Sequence, residues 1–187
     1  PAHSRPAMTD RALLVIDMQK GMQEPRAGRR NNPGAEAQVQ RLLMHWRTTG
    51  RPVVHVRHMS RFADSVFFPG QPGAEFQDAL APLPTEHVVE KNATDAFAHS
   101  GLERWLRVRG IEALVVVGVA TNMSVEATAR SASCLGFAVT VVSDASFAFD
   151  RAGIDGATFD AEQVHAMALA NLQGEYARVA ATASLLG

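Results

Sequence analysis

The chain has 187 residues, of which 47% are hydrophobic and 20% charged, and its formal net charge at pH 7 is −1. This composition fits one globular domain with a full-sized core and excludes a disordered or fibrous protein. A charge so close to zero gives no electrostatic reason to expect nucleic acid or an anionic membrane as a partner, and no apolar run approaches the roughly 20 residues of a membrane span.

Cysteine content and the first residues bear on location and domain organisation. Cys134 is the one cysteine of the chain, so an internal disulfide is excluded and the expected location is the reducing cytoplasm. We interpret residues 1–7 as a flexible tail, or as the remnant of an expression tag ahead of a native start at Met8, because they show no signal-peptide pattern. Residues 8–187 are predicted to form a single domain, since no linker, repeat or low-complexity segment interrupts them.

Short apolar runs and helically spaced segments alternate along the chain. The runs predict strands at residues 12–17, 52–59, 86–90, 114–117, 138–142 and 176–181. The helical spacing predicts helices at residues 34–49, 102–108, from 121 to a stop at Gly136, and at 161–172 with Asp160 as N-cap. Such alternation is typical of βαβ units. We therefore predict an α/β protein with a three-layer α/β/α, Rossmann-like fold around a six-stranded, mostly parallel sheet.

Three segments between these elements are predicted to be loops, and one of them is unusually long. They cover residues 18–33, 60–83 and 149–160. The second is rich in Phe, Pro and Gly, and a loop of that length in a compact domain is usually functional, often as a lid.

Three polar residues come just after predicted strands: Asp17, Lys91 and Ser124. The carboxyl ends of parallel strands meet at one edge of the sheet, where open α/β folds bind ligands, so these groups are expected to converge in one cleft. A nucleophile, a carboxylate that relays its proton and a lysine that favours its ionised form together suit hydrolysis or acyl transfer. Taken singly, each residue also has a structural interpretation as a turn cap, a solvated lysine or a first-turn serine.

Four pieces of the sequence resemble the isochorismatase-like cysteine hydrolase superfamily, which includes nicotinamidases and N-carbamoylsarcosine amidohydrolases. The resemblance extends from Arg11 to Leu186. The pieces are Leu14-Val15-Ile16-Asp17-Met18-Gln19, Val89-Glu90-Lys91 followed by Ala96-Phe97, the segment from Gly118 to Arg130, and Asp160-Ala161-Glu162-Gln163-Val164-His165 leading to Leu172.

The resemblance implies roles for individual residues. Asp17 and Lys91 match the family's Asp–Lys–Cys triad, whereas Ser124 stands where the family usually has cysteine. It also implies a cis peptide between Val119 and Ala120, with the N–H groups of Ala120 and Ser124 forming an oxyanion hole. The expected substrate is a small amide or carbamoyl compound, and its pocket is expected to include Gln19, Phe62, Phe68, Phe97 and Thr121, with core packing as the other interpretation of the aromatic residues and of Phe67 and Trp105.

Ser124 decides how active the chain is expected to be. A helix N-terminus and a nearby lysine lower a thiol pKa to ~3.5–7.5, but an alcohol starts several units higher and stays protonated. We therefore predict a nearly inactive chain and interpret Ser124 as an engineered Cys→Ser change that traps a ligand. The alternatives are a natural serine variant, a non-catalytic binding relative, and an isochorismatase-type vinyl ether hydrolase that uses Asp17 as an acid without a nucleophile.

The sequence also gives expectations about metal binding, cofactors and oligomeric state. His55 and His58 lie where nicotinamidases carry metal ligands, but no carboxylate accompanies them at ligand spacing, so we expect neither metal nor cofactor. Cys134 is predicted to be a small buried hydrophobe rather than a second nucleophile. A homo-oligomer, dimer or tetramer, is expected, with the exposed face of the last helix as its interface.

Overall fold

The predicted strands form one parallel sheet. In the computed structural model, which describes residues 11–187, the order across this sheet is β3-β2-β1-β4-β5-β8. The strands of the chain are β1 (Arg11–Ile16), β2 (Val53–His58), β3 (His87–Lys91), β4 (Ala113–Val119), β5 (Ala138–Phe147), β6 (Arg151–Ala152), β7 (Thr158–Phe159) and β8 (Arg178–Ala180). The expectation for residues 1–7 lies outside the described part of the chain.

Helices cover both faces of the sheet. They are α1 (Ala35–Thr48), α2 (Leu102–Val108), α3 (Glu126–Cys134) and α4 (Ala161–Leu172). Successive side chains of a strand point to opposite faces. Accordingly Leu13 packs in the cluster that holds the buried residues of α1, while Leu14 packs in the cluster that holds those of α2 and α3. The three-layer α/β/α architecture predicted from the alternation of elements is confirmed.

The strand order reverses between β1 and β4. From β1 the sheet continues through β2 and β3 on one side, and from β4 it continues through β5 and β8 on the other. In open α/β sheets, a crevice for ligands opens at the carboxyl ends of the strands on either side of such a reversal. Residues that follow β1 and β4 therefore lie on the two sides of that crevice.

Several boundaries differ from the predicted ones. β5 continues to Phe147, five residues further than expected, because its register against β4 shifts between Val116 and Gly118 and pairing resumes at Ser146 and Phe147. The predicted loop at 149–160 contains the hairpin formed by β6 and β7. A π-helical turn, Thr121–Val125, precedes α3. Asp160 caps α4 as predicted, since its side chain accepts a hydrogen bond of 2.8 Å from the backbone N–H of Gln163.

Within residues 11–187, none of the helices is both long enough and apolar enough to cross a bilayer.

Gly118 lies in β4 directly beside Ile16 of β1. Its φ of 124° is in the region that favours glycine, and a Cβ there would overlap the backbone of Ile16. Gly136, after α3, also has a positive φ, of 90°, but a Cβ there would meet nothing within 4 Å. Both glycines have a positive φ, but only at Gly118 would an added Cβ collide with the backbone of another strand.

We expect Gly118→Ala to lower the free energy of unfolding by about 3 kcal/mol or more, because strain and overlap act together. Gly136→Ala is the matched control and should lose about 1–2 kcal/mol from the conformation alone. Urea unfolding of both variants measures the difference. Equal losses would show that the approach of β4 to β1 is not tight.

Candidate active site

Asp17 is delivered to the crevice by the end of β1. Its backbone N–H donates to the carbonyl of Val56 over 2.8 Å, and a left-handed φ of 53° turns the chain out of the strand. The residue is almost completely buried. Oδ2 accepts a hydrogen bond from Lys91, whereas Oδ1 has no hydrogen-bond partner among residues 11–187. One carboxylate oxygen is thus held in an ion pair, and the other is buried without a hydrogen bond.

Lys91 joins the two other residues predicted for the site. It is the last residue of β3, and its Nζ lies 2.9 Å from Asp17 Oδ2 and 3.2 Å from Ser124 Oγ. The third neighbour of this ammonium is Nδ1 of His58, at 3.4 Å. The structure therefore brings together Asp17, Lys91 and Ser124, which are far apart in the chain.

Burial dominates the electrostatics of the site. It raises the pKa of Asp17, although the charge of Lys91 and its hydrogen bond act in the opposite direction. Burial also lowers the pKa of His58, and the Lys91 charge lowers that pKa further. Burial therefore favours the protonated form of Asp17 more than it would be favoured in an exposed carboxyl, and it favours the neutral form of the neighbouring imidazole.

Ser124 lies in the π-helical turn that connects β4 to α3, and Ala120 directly precedes this turn. The peptide bond between Val119 and Ala120 is cis, as the family resemblance implied. Ala120 and Ser124 both border the same cavity as Asp17. This arrangement places the two residues expected to form the oxyanion hole on the wall of the cavity, and their role there remains a prediction.

The cavity beside Ser124 has a volume of about 530 Å³. Most of its wall is apolar, and the remaining lining comes from Asp17, His58 and Ser124, from the hydroxyl residues Ser65 and Thr94, and from the charged residues Arg26 and Asp64. The apolar part of the wall consists of Gly21, Met22, Ala27, Val66, Phe67, Ala120, Met123 and Phe149. A site of this size and lining accommodates a small molecule.

Gln19, Phe62 and Phe68 were expected in the substrate pocket but do not line this cavity. The amide of Gln19 is fully buried because it bonds to the backbone of His58 and to the carbonyl of Ala74. Phe62 is 75% exposed on the surface of the long loop. Phe68 follows the lining residue Phe67 in that loop and is itself half-buried away from the lining.

Phe97 and Thr121 were also expected in the pocket, but both make structural contacts outside the cavity lining. The ring of Phe97 stacks on Phe137 with 5.8 Å between ring centroids, against the core on the α2 and α3 side. The hydroxyl of Thr121 is buried 2.7 Å from Nδ1 of His165, and this contact ties the π-helical turn to α4. Trp105 stacks on His87, and neither ring borders the cavity.

Sequence reasoning missed several residues that do line the cavity. Met22, Arg26 and Phe149 belong to segments that were predicted only as loops, and no periodic pattern marks them. His58 was considered as a metal ligand alone. Its position could have been found, because it is the last residue of β2 and pairs in register with Lys91 of the neighbouring strand.

Cys134 was predicted to be buried, and this prediction was wrong. It is the last residue of α3 and is exposed, because this helix packs on the sheet through Thr128, Ala129 and Ala132. At 1.5 Å per residue of helix, its backbone lies on the order of 12 Å along α3 from Glu126, away from the site. It therefore takes no part in the cavity.

The histidines of β2 have separate partners. His55 Nε2 lies 3.1 Å from Glu86 Oε1, while His58 contacts Lys91. Within the described part of the chain, His, Cys, Asp and Glu side chains form no group of three or more that could hold a metal ion.

The fold and the site geometry define a class of protein, an α/β protein in which Asp17, Lys91 and Ser124 meet at the carboxyl edge of a parallel sheet beside a small cavity. The isochorismatase domain model matches residues 11–184. The chain therefore belongs to the isochorismatase family, and it is a hydrolase of that family.

Two relatives match nearly all of the chain, and a third matches part of it. A solved structure of an isochorismatase-family protein from Chromobacterium violaceum is 46% identical, covers 100% of this chain and 96% of its own, and superposes with a TM-score of 0.94. The isochorismatase family protein YddQ of Bacillus subtilis is 37% identical over 94% of this chain and 98% of its own length. The ureidoacrylate amidohydrolase RutB of Caulobacter segnis is 36% identical over 63% of this chain and 45% of its own length.

The buried Lys91–Asp17 pair generates a prediction about stability. Lys91→Met leaves the Asp17 charge buried without its partner, so we expect a loss of about 3–5 kcal/mol at pH 8. Without the lysine, only the smaller effects of Ser124 and His58 oppose burial, and the folded-state pKa of Asp17 lies still further above the unfolded value. Stability from a group with a raised folded-state pKa is present at low pH and is lost as the pH rises, so the loss at pH 5 should be smaller.

Urea unfolding at pH 5 and pH 8 measures this difference. Arg57→Met is the control, because Arg57 forms a partly exposed ion pair with Glu90, the neighbour of Lys91 in β3. It should cost about 0–1 kcal/mol. A loss for Lys91→Met that is the same at both pH values would contradict a buried Asp17 charge.

Proposed function

We propose that the enzyme hydrolyses a carbon–nitrogen bond in a small amide or carbamoyl compound, with residue 124, Asp17 and Lys91 as its reacting groups. The observation that carries this proposal is the buried Lys91 ammonium, 2.9 Å from Asp17 Oδ2 and 3.2 Å from the side-chain oxygen of residue 124. The name of the related ureidoacrylate amidohydrolase supports the choice of a C–N bond.

The proposed mechanism starts from a cysteine at position 124. The thiol gives its proton to Asp17, whose Oδ1 is unpartnered within residues 11–187, and the neighbouring Lys91 ammonium stabilises the thiolate. The sulfur attacks the carbonyl carbon, and the N–H groups of Ala120 and residue 124 hold the oxyanion. The C–N bond breaks as Asp17 returns its proton to the departing nitrogen. Water then attacks the thioester, which releases the acid and restores the thiol.

The raised pKa of Asp17 fits both proton steps. A carboxyl with an ordinary pKa would be a weak acid catalyst at neutral pH, because it would rarely carry a proton. Burial makes the protonated form of Asp17 accessible, and Lys91 keeps the ionised form accessible as well. The same residue is therefore suited to take a proton from the nucleophile and to return it to the leaving group.

We further propose that Ser124 stands in place of the cysteine and leaves this chain weakly active. The same surroundings act on an alcohol whose pKa lies several units above that of a thiol, so the ionised nucleophile is rare. Asp17 is also too weak a base to deprotonate an alcohol efficiently, a task for which a Ser–His pair is better suited.

Ser124→Cys should raise the rate of ammonia release from small amides or carbamoyl compounds by about 10³ or more, because it restores an ionisable nucleophile. Ammonia release from a panel of such compounds, followed for both proteins in parallel, measures the effect. Ser124→Ala is the matched control and should be inactive. Asp17→Asn in the Ser124→Cys protein should again abolish turnover, because it removes the proton relay.

The panel should also contain a vinyl ether. The raised pKa of Asp17 favours one second candidate, protonation of a vinyl ether by that acid without a nucleophile. Under that mechanism Ser124→Ala would retain the activity of the parent chain and Asp17→Asn would lose it. Equal activity of the parent chain and of its Ser124→Ala and Ser124→Cys variants on amides would overturn the proposal of a nucleophile at this position.

A further inference from the structure

The Lys91 ammonium has one acceptor for each of its three N–H bonds. These acceptors are Asp17 Oδ2 at 2.9 Å, Ser124 Oγ at 3.2 Å and His58 Nδ1 at 3.4 Å. An ammonium group has three donors and no acceptor, so this set satisfies it. The side chain of Lys91 is 0% exposed, so bulk water does not readily replace a lost partner.

The imidazole of His58 is held in place from several directions. His58 and Lys91 are paired in register as the last residues of β2 and β3, and paired residues of parallel strands point to the same face. The side-chain amide of Gln19 holds the backbone of His58. Its oxygen accepts from the N–H of His58 over 2.8 Å, and its nitrogen donates to the carbonyl of His58 over 2.9 Å. The ring of Phe67 meets the imidazole edge-on, with 6.3 Å between centroids.

The contact with Lys91 fixes the protonation of this ring. Lys91 only donates, so Nδ1 of His58 accepts and the proton of the neutral imidazole lies on Nε2. The charged and polar groups that face His58 are Lys91 and Asp17, with residue 124 beyond the ammonium, and Arg26 and Asp64 line the same cavity. Burial and the lysine charge both lower the pKa of His58, which keeps Nδ1 available at neutral pH.

We infer that His58 is a positioning residue that accepts the third N–H of Lys91 and thereby directs the other two to Asp17 and to residue 124. The inference rests on the proposed role of Lys91 beside the nucleophile. Without His58, one buried N–H of the ammonium lacks a partner, and the group turns or withdraws from residue 124. The nucleophile then loses part of the positive charge that favours its ionised form.

The thiol pKa of Ser124→Cys tests this inference without any substrate. It is obtained from the pH dependence of alkylation by iodoacetamide, in a Cys134→Ala background because Cys134 is exposed and would also react. An opposite charge at close range typically lowers a pKa by about 1–3 units. His58→Ala should therefore raise the pKa of the thiol by about one unit and slow its alkylation about tenfold at pH values below that pKa.

Two conservative variants separate positioning from packing. The side-chain amide of Asn places an oxygen near the position of Nδ1, whereas the longer Gln places it near the position of Nε2. We expect His58→Asn to keep the thiol pKa within a few tenths of the Ser124→Cys value, and His58→Gln to raise it as His58→Ala does. The comparison of Asn with Gln stands even where His58→Ala does not fold.

His55→Asn is the control for a general disturbance of β2. His55 is fully buried in the same strand but contacts Glu86 rather than Lys91, so its replacement should leave the thiol pKa unchanged. An unchanged pKa in all three His58 variants, or an equal shift in the Asn and Gln variants, would overturn the inference. If the thiol follows the expected order while no amide is hydrolysed, the positioning role stands and the proposed function fails.

Discussion

The ion pair between Lys91 and Asp17 is the interaction on which the site depends. Both side chains are withdrawn from water, and removing two charges from water costs several kcal/mol each unless they meet in good geometry. Their strands, β3 and β1, are not neighbours, because β2 lies between them. The pair therefore bridges the carboxyl edge of the sheet across β2, and it forms only when three strands have aligned in register.

The surroundings of the pair stabilise it from both sides of the sheet. The apolar clusters beneath α1 and beneath α2 and α3 hold the strands, so the edge that carries the charges is rigid. Two polar groups complete the hydrogen bonding of the Lys91 ammonium: Ser124 from the turn after β4 and His58 from the end of β2. The charged and polar groups around Lys91 therefore meet only in the packed fold, since each of them comes from a different element.

Much of the fold and part of the site could be predicted from the sequence. Continuous apolar runs identify buried parallel strands, and Asp17, Lys91 and Ser124 follow from the rule that strand ends share an edge. The hairpin of β6 and β7, the extension of β5 and the exposure of Cys134 depend on tertiary register and helix rotation, which local patterns do not encode. The pocket residues were the least predictable, because the aromatic side chains of a loop pack inward or outward according to contacts made elsewhere, as Phe67 and Phe62 do.

The bonds of Gln19 distinguish the framework of the site from the wall of the cavity. Its amide is occupied by the backbone of His58 and of Ala74, so the residue two positions beyond the acid is part of the frame rather than of the cavity wall. The wall of the cavity comes instead from residues such as Met22, Val66 and Phe149, which belong to no strand of the central sheet. Substitutions at these positions can therefore reshape the cavity while Asp17, Lys91 and residue 124 keep their places at the edge of the sheet.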